Sequence, residues 1–367
     1  MSNKNTSCQT NDDINRLFTL LSDGYDSYSS DEDEDEYDNE NSWPFKELDF
    51  KINNINDLIN LGELYDPKLK VRYNIDIKRI SKIVPALLKL KNMIGLNNIK
   101  EKIVDQIIYF IANLEDKTND MMHTIITGPP GVGKTKLGKI IGDIYYNLDI
   151  LTPIKKKRKR STNYVFKIVK RSDLIGKYLG HTAAKTQSVI DSCDGGVMFI
   201  DEAYSLGNSN CSDSFSKECI DTINQNLTEK KNNFLCIIAG YEDALDSSFF
   251  SYNEGLKRRF TFKYNIDKYT DEELKLIFFQ MVKEINWSIE DNINISKLFI
   301  DNYELFENMA GDMESLLFNC KIAHAKRIIY NSKSKKTITY EDIQNGLKVF
   351  KESRVKKTNN NWKSLYI

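Results

Sequence analysis

The sequence predicts an α/β fold: a parallel sheet covered by helices on both faces, followed by a small all-α domain. Three observations carry this prediction. The apolar run 122–127 leads into a glycine-rich loop and then a helix-periodic stretch, 134–147, with Leu137, Ile140, Ile141 and Ile144 at helical spacing. A second apolar run, 196–200, ends in the acid pair Asp201-Glu202. Beyond Asp267 strand patterns cease, and helical periodicity alone recurs at 271–285, 295–307, 312–330 and 340–351.

The glycine-rich loop is the most informative stretch. Residues 128–135 read Gly-Pro-Pro-Gly-Val-Gly-Lys-Thr and fit G-x-x-x-x-G-K-[ST] at every fixed position. A polyphosphate needs several backbone N–H groups turned inward together, and glycine permits the backbone angles and close approach that a side chain blocks. The expected nucleotide-binding residues are therefore Gly128, Pro129, Pro130, Gly131, Val132, Gly133, Lys134, Thr135 and Lys136. Lys134 is the expected catalytic cation between the β- and γ-phosphates and Thr135 a magnesium ligand, while the next helix offers its positive N-terminal end. ATP and Mg2+ are the implied cofactors. The acid pair completes the set: an apolar strand that delivers Asp-Glu to its C-terminal edge places Asp201 to support magnesium and Glu202 to polarise the attacking water.

The remaining elements follow in order. Residues 1–45 are rich in Ser, Asn and Asp and include the run Asp31-Glu32-Asp33-Glu34-Asp35-Glu36, so they read as a disordered acidic head. Residues 46–92 form a helical lead-in, with patterns at 55–64 and at 75–90, the latter interrupted by Pro85. Met93-Ile94-Gly95-Leu96 precedes an amphipathic helix over 98–114. After the loop helix come a strand at 164–170, a loop at 173–184, a helix at 185–193, a helix at 215–227, a strand at 234–239 and a strand at 261–266. The expected domains are the head 1–45, the lead-in 46–92, an α/β nucleotide-binding domain 93–266, a helical lid 267–353 and a tail 354–367.

Charge and cysteine usage bound the setting. Residues 1–50 hold three Lys/Arg against fourteen Asp/Glu, a net −11, leaving 49 basic against 39 acidic residues, a net +10, in the rest of the chain. Six consecutive cations at 155–160 read first as a solvated loop or a nuclear-import signal. A nucleic-acid contact ranks below these, because no aromatic residues are interleaved to stack bases. The six cysteines are scattered without metal spacing and read as reduced thiols. A polar N-terminus and the absence of an apolar run of about 18 residues argue against a secretory signal and a bilayer span. The expected address is intracellular and cytoplasmic, or nuclear through 155–160.

With both phosphate-site elements, the parallel sheet and the helical lid in place, the chain resembles the AAA+ ATPases. More narrowly it resembles their CbxX/CfqX branch, which includes red-type Rubisco activase and stage V sporulation protein K. The resemblance spans about 94–351 and rests on 93–96, the phosphate loop, 172–183 (Ser-Asp-Leu-Ile-Gly-Lys-Tyr-Leu-Gly-His-Thr-Ala), 201–206, Ala239-Gly240-Tyr241 and 255–260 (Gly-Leu-Lys-Arg-Arg-Phe). It implies an ATP-hydrolysing homo-oligomeric ring, commonly a hexamer, that remodels or threads a protein substrate through a central pore. Ile94 and Gly95 would line the adenine pocket. Arg259, with Arg258 as second choice, would reach the γ-phosphate of the adjacent subunit, and Tyr178 and Leu179 would form the pore loop that grips the substrate. Two departures stand out. Gly240-Tyr241 occupies the place where many AAA+ proteins put a water-positioning Asn, and Gly311-Asp312-Met313-Glu314 stands where the related pattern Gly-Asn-Ala-Arg supplies an arginine. Beside phosphates an acid is repulsive, so Glu314 is expected to point elsewhere. A nucleic-acid motor or loader built on the same core, and a nucleotide-switched scaffold with little turnover, are the alternative readings.

Overall fold

The computed structural model describes residues 43–116, 118–152, 165–178, 180–207, 213–253, 255–290, 294–329 and 336–359, with side chains to 354. The acidic run, Ser29 and Ser30 before it, the cationic run 155–160, Leu179 and the end of the tail lie outside them. The unit that starts at Phe45 holds the whole α/β and lid architecture.

Five parallel strands form the central sheet in the order β4-β5-β6-β3-β7, with β3 at His123–Thr127, β4 at Phe166–Val169, β5 at Val197–Ile200, β6 at Leu235–Gly240 and β7 at Phe260–Asn265. Every pairing is parallel, so all five C-terminal ends lie along one edge. Chain order reverses between β6 and β3, and there a doubly wound sheet opens a crevice. Side chains alternate between two cores. Ile126, Phe199, Ile237 and Ala239 join one, and Ile125, Met198, Ile200, Cys236 and Ile238 join the other. Strands covered on both faces in this way read in sequence as continuous apolar runs.

The first core carries the lead-in, which is an integral layer of the domain. Helices α1 (Ile55–Glu63) and α2 (Ile77–Lys91) pack against α3 (Asn97–Ile111) and the phosphate-loop helix α4 (Lys134–Asn147), and bury Leu58, Ile83, Leu87 and Leu90. The helix α2 runs on through Pro85, whose ring sits on the exposed side while the apolar stripe stays packed. Arg79 ties the layers together. Its guanidinium donates to the carbonyls of Leu148 at 2.8 Å and Phe110 at 3.0 Å, and so satisfies the C-terminal ends of α4 and α3. Two two-residue parallel ladders, β1 (Phe45–Lys46) with β2 (Arg72–Tyr73) and β8 (Ser288–Ile289) with β9 (Thr337–Ile338), are too short to show an alternating pattern.

Two helix expectations change. The helix read at 185–193 begins earlier, as α6 at His181–Asp191, preceded by the four-residue α5 at Arg171–Leu174. Its buried face is Thr182, Thr186, Val189 and Ile190, and two threonines hide the apolar period. The helix α7 follows at Ser214–Glu229. In the lid, α8 (Asp271–Glu284), α10 (Ala310–Ile328) and α11 (Tyr340–Asn359) match their patterns, but 295–307 divides into α9 (Ser296–Ile300) and a tight turn at Tyr303–Leu305. Buried Asn302 sits at the break and donates from Nδ2 to the Leu298 carbonyl, so a side chain competes with the helix ladder.

His123 pins the strand that carries the loop. Fully buried, its Nδ1 accepts from the Cys236 amide at 3.1 Å, and Nε2 faces the Leu227 carbonyl at 3.0 Å, which selects the neutral Nε2–H tautomer. Burial, assisted by the charge of Arg259, lowers its pKa to about 4. The folded pKa lies below the unfolded value, so the unfolded chain binds more protons in acid. Stability is complete above about pH 6.5 and declines as pH falls toward 4, by roughly 3 kcal/mol. His123→Gln preserves a donor and an acceptor without titrating. Urea unfolding from pH 7 to 4 should show a shallower loss in the variant; parallel curves would reject the assignment.

Candidate nucleotide site

A cavity of about 600 Å³ opens at the C-terminal edge of the sheet. Pro130, Gly131, Gly133, Lys134, Thr135 and Lys136 form its floor, and Asp201, Glu202 and Tyr204 reach it from the end of β5. Gly240 and Tyr241 come from the end of β6, and Met93, Ile94, Tyr269, Ile277 and Met281 make an apolar end. Gln280 and Glu284 of α8 add polar groups, and Ala310, Gly311 and Glu314 of α10 close the lid side. An apolar compartment joined to a cationic loop and an acid pair suits a base at one end and phosphates at the other.

The loop's form is set by backbone angles and neighbours. Gly131 has φ +72°, and a Cβ there would fall 1.9 Å from the Asn308 carbonyl oxygen. Gly128, at φ +145°, would place one 2.5 Å from the Ile266 carbonyl oxygen. No other residue type fits either position. Lys134 donates from Nζ to the carbonyls of Gly128 at 2.9 Å and Pro129 at 2.7 Å, and lies 5.6 Å from the centre of the Tyr241 ring. Burial lowers its pKa, against the opposing pull of Asp201 and Glu202. Val132 is fully buried beneath the loop, and its carbonyl accepts from the Tyr269 hydroxyl at 2.9 Å. Gly128, Pro129 and Val132 thus shape the loop without lining the cavity.

Glu202 adopts a left-handed conformation, φ 50° and ψ 46°, directly after the acid strand. Such an angle in a residue with a side chain costs on the order of 1 kcal/mol. Burial and then the Glu202 carboxylate raise the pKa of the Tyr204 hydroxyl. The turn that follows, Ala203–Leu206, is anchored by Arg171 at the start of α5. The guanidinium donates to the carbonyls of Ser205 and Leu206 and to Ser216 Oγ, each at 2.9 Å, and pairs with Asp213 at 2.5 Å.

The other expected residues fall elsewhere. Ile94 lines the cavity, but Gly95 faces Glu273, whose Oε1 would lie 2.5 Å from a Cβ at that position. Tyr178 is 68% exposed, with its ring edge-on to His181 at 5.6 Å. Arg258 and Arg259 precede β7 and so sit at the opposite end of the sheet from the cavity. Arg259 is held by Thr228 Oγ1 at 2.8 Å and the Gly255 carbonyl at 2.6 Å, while Arg258 is exposed. Glu314 does not point elsewhere: it stands in the cavity wall, because the first turn of α10 rests on the phosphate loop. Sequence reasoning passed over Arg171 and Tyr269, and gave no role to Tyr204 within the motif 201–206. The conspicuous motif begins at Ser172, one residue past Arg171, and single aromatics carry no spacing signal.

The fold and this site define an AAA-type ATPase, and the family model for ATPases associated with various cellular activities matches residues 124–267. The chain belongs to the CfxQ-like branch of that family. It is 45% identical over 319 residues to a cfxQ-like protein of Acanthamoeba polyphaga mimivirus, covering 86% of this chain and 76% of that one. It is 34% identical over 200 residues to the chloroplastic ribulose bisphosphate carboxylase/oxygenase activase of Cyanidioschyzon merolae, covering 53% and 64%. Among solved structures, the FIGL-1 AAA domain in complex with ADP aligns with a TM-score of 0.50 at 18% identity, over 73% of this chain and 87% of that one, a likeness of fold. The chain is thus a nucleotide-binding, ATP-hydrolysing enzyme, and among the described residues no helix is long and apolar enough to cross a membrane.

Arg171 touches no cavity atom, so its loss should act through the Glu202 turn. Arg171→Ala is expected to lower kcat roughly ten- to hundredfold with ATP affinity within about twofold. Paired turnover and equilibrium-binding measurements check this, and an affinity that falls in step with the rate would refute it.

Proposed function

We propose that the chain works as an ATP-driven homo-oligomeric ring, of six subunits in the form common to its relatives, that remodels a protein substrate. One observation carries the ring: the described cavity walls hold Lys134 and Lys136 but no arginine, while Arg258 and Arg259 lie at the far end of the sheet. A neighbour placed head to tail would bring that end to the cavity.

In this reading Lys134 and the loop amides hold the phosphates, and Glu202 takes the proton of the attacking water while Tyr204 and the strained turn hold its carboxylate in place. Arg259 acts in trans on the developing charge, with Arg258 as the alternative because it is the freer of the two. The oxygen donors Thr135 and Asp201 share the cavity, and both suit magnesium, which when bound would offset phosphate charge. Tyr241 stands beside Lys134 where a water-positioning group would be needed. Tyr178, with Leu179 beside it in sequence, grips an extended polypeptide; its exposed ring on the segment between α5 and α6 supports that role. A protein substrate is favoured because a relative is named for activating an enzyme.

Three measurements test this. Wild type should hydrolyse ATP, whereas Glu202→Gln should be silent and elute as a ring in ATP; a silent wild type that stays monomeric would sink the motor. Lys134→Ala and Arg259→Ala should each be inactive alone. Mixed one to one, they should recover about a quarter of wild-type turnover, the random fraction of interfaces that join an intact loop to an intact arginine. No recovery would mean that Arg259 does not act across subunits. Finally, Tyr178→Ala should lose stimulation by reduced, unfolded casein and Tyr178→Phe should keep it; equal stimulation in both would place the grip elsewhere.

A further inference from the structure

Glu314 has the wrong charge for the place it occupies. The Ala310 amide donates to the Gly131 carbonyl at 3.1 Å, so the start of α10 is docked on the apex of the phosphate loop. The same contact brings the Asn308 carbonyl against Gly131 so closely that only glycine is accommodated there. Residues four apart share a helix face, and Glu314 therefore follows Ala310 along the side of α10 that meets the cavity, with Gly311 between them in the wall.

The other acids near this turn have partners. Asp312 accepts from the Asn308 amide at 2.8 Å and pairs with Arg354, which also reaches Glu307 at 3.7 Å. Among the described residues Glu314 makes no salt bridge. It shares the cavity wall with the cations Lys134 and Lys136 and the acids Asp201, Glu202 and Glu284. Asp201 belongs to the group that suits a divalent cation, whereas Glu314 arrives from the lid, on the element that moves when the lid does.

We infer that Glu314 makes lid docking sensitive to the number of phosphates in the site. Each added phosphate raises the negative charge that faces this carboxylate, so the docked lid accepts a diphosphate more readily than a triphosphate. ATP then loosens the contact between Ala310 and Gly131, hydrolysis and phosphate loss restore it, and the site retains ADP in preference to ATP. This rests on the reading of the cavity as the nucleotide site. Glu314 is exposed, so water and salt moderate the effect to a few-fold.

The test uses the full chain with Glu202→Gln added to preserve ATP. Calorimetry gives Kd for ATP and for ADP with Glu314, Glu314→Gln and Glu314→Arg. The ratio Kd(ATP)/Kd(ADP) should fall about three- to tenfold on going to Gln and further on going to Arg, and the difference should shrink between 50 and 500 mM salt. Hydrogen exchange at the Ala310 amide should be slower in ADP than in ATP with Glu314, and the order should reverse with Arg. A ratio unchanged by Gln within twofold, or one that ignores salt, would overturn the inference, and the Gln variant alone decides it if the Arg variant does not fold. Lys134→Ala separates the two readings: it should lose both nucleotides, and if it binds both as before, the cavity assignment fails together with this inference.

Discussion

The phosphate loop of this chain is held by its own carbonyls. Lys134 spans those of Gly128 and Pro129, the Tyr269 hydroxyl takes that of Val132, and the Ala310 amide takes that of Gly131. The Gly128 amide is bonded to the Gly240 carbonyl at 3.2 Å and the two prolines carry none, so it is the amides from Gly131 onward that can turn to a polyanion. Each of those three carbonyl partners comes from a different element: the loop helix, the segment before α8, and α10. The shape of the loop therefore reports lid position, and a lid that shifts must release a hydrogen bond made to the loop itself.

Much of the fold was readable because parallel strands buried on both faces leave continuous apolar runs. The runs at 122–127, 196–200 and 234–239 correspond to β3, β5 and β6. What escaped was structure in which polar residues do apolar work. Thr182 and Thr186 are both fully buried, and the Thr186 hydroxyl is satisfied by the Leu174 carbonyl at 3.2 Å, so α6 carries no apolar stripe at its start. The lead-in was readable as helical but not as core. Leu87 and Leu90 acquire meaning only when α4 is brought against them, which is a tertiary fact that periodicity does not contain.

For the site, the loop and the acid pair were legible because both are spellings with a chemical reason at each position. The residues that orient them were not. Arg171 acts through four acceptors that lie 34 to 45 positions away in sequence, and Tyr269 through one that lies 137 positions away. Glu314 was legible as an anomaly, yet its direction was misjudged. Repulsion alone argued that it should turn away, but the direction of a side chain on a docked helix is set by the docking. Here the contact between Ala310 and Gly131 commits the face that Glu314 shares.

The network around Arg171 also gives the turn after Glu202 and the segment that carries Tyr178 a shared support. The same residue begins α5, which leads to Tyr178, and holds the carbonyls of Ser205 and Leu206 just after Glu202. Further bonds stiffen the path between them: Lys185 donates to the Ser172 and Ile175 carbonyls, and the Gly176 amide donates to Thr182 Oγ1. A displacement of the strained turn at Glu202 therefore moves acceptors bound to the base of the Tyr178 segment, and a displacement of that segment acts on the turn in return. Coupling of this kind is reciprocal by thermodynamic necessity. It needs no long chain of contacts, because a single guanidinium with a fixed fork of donors reaches both elements at once.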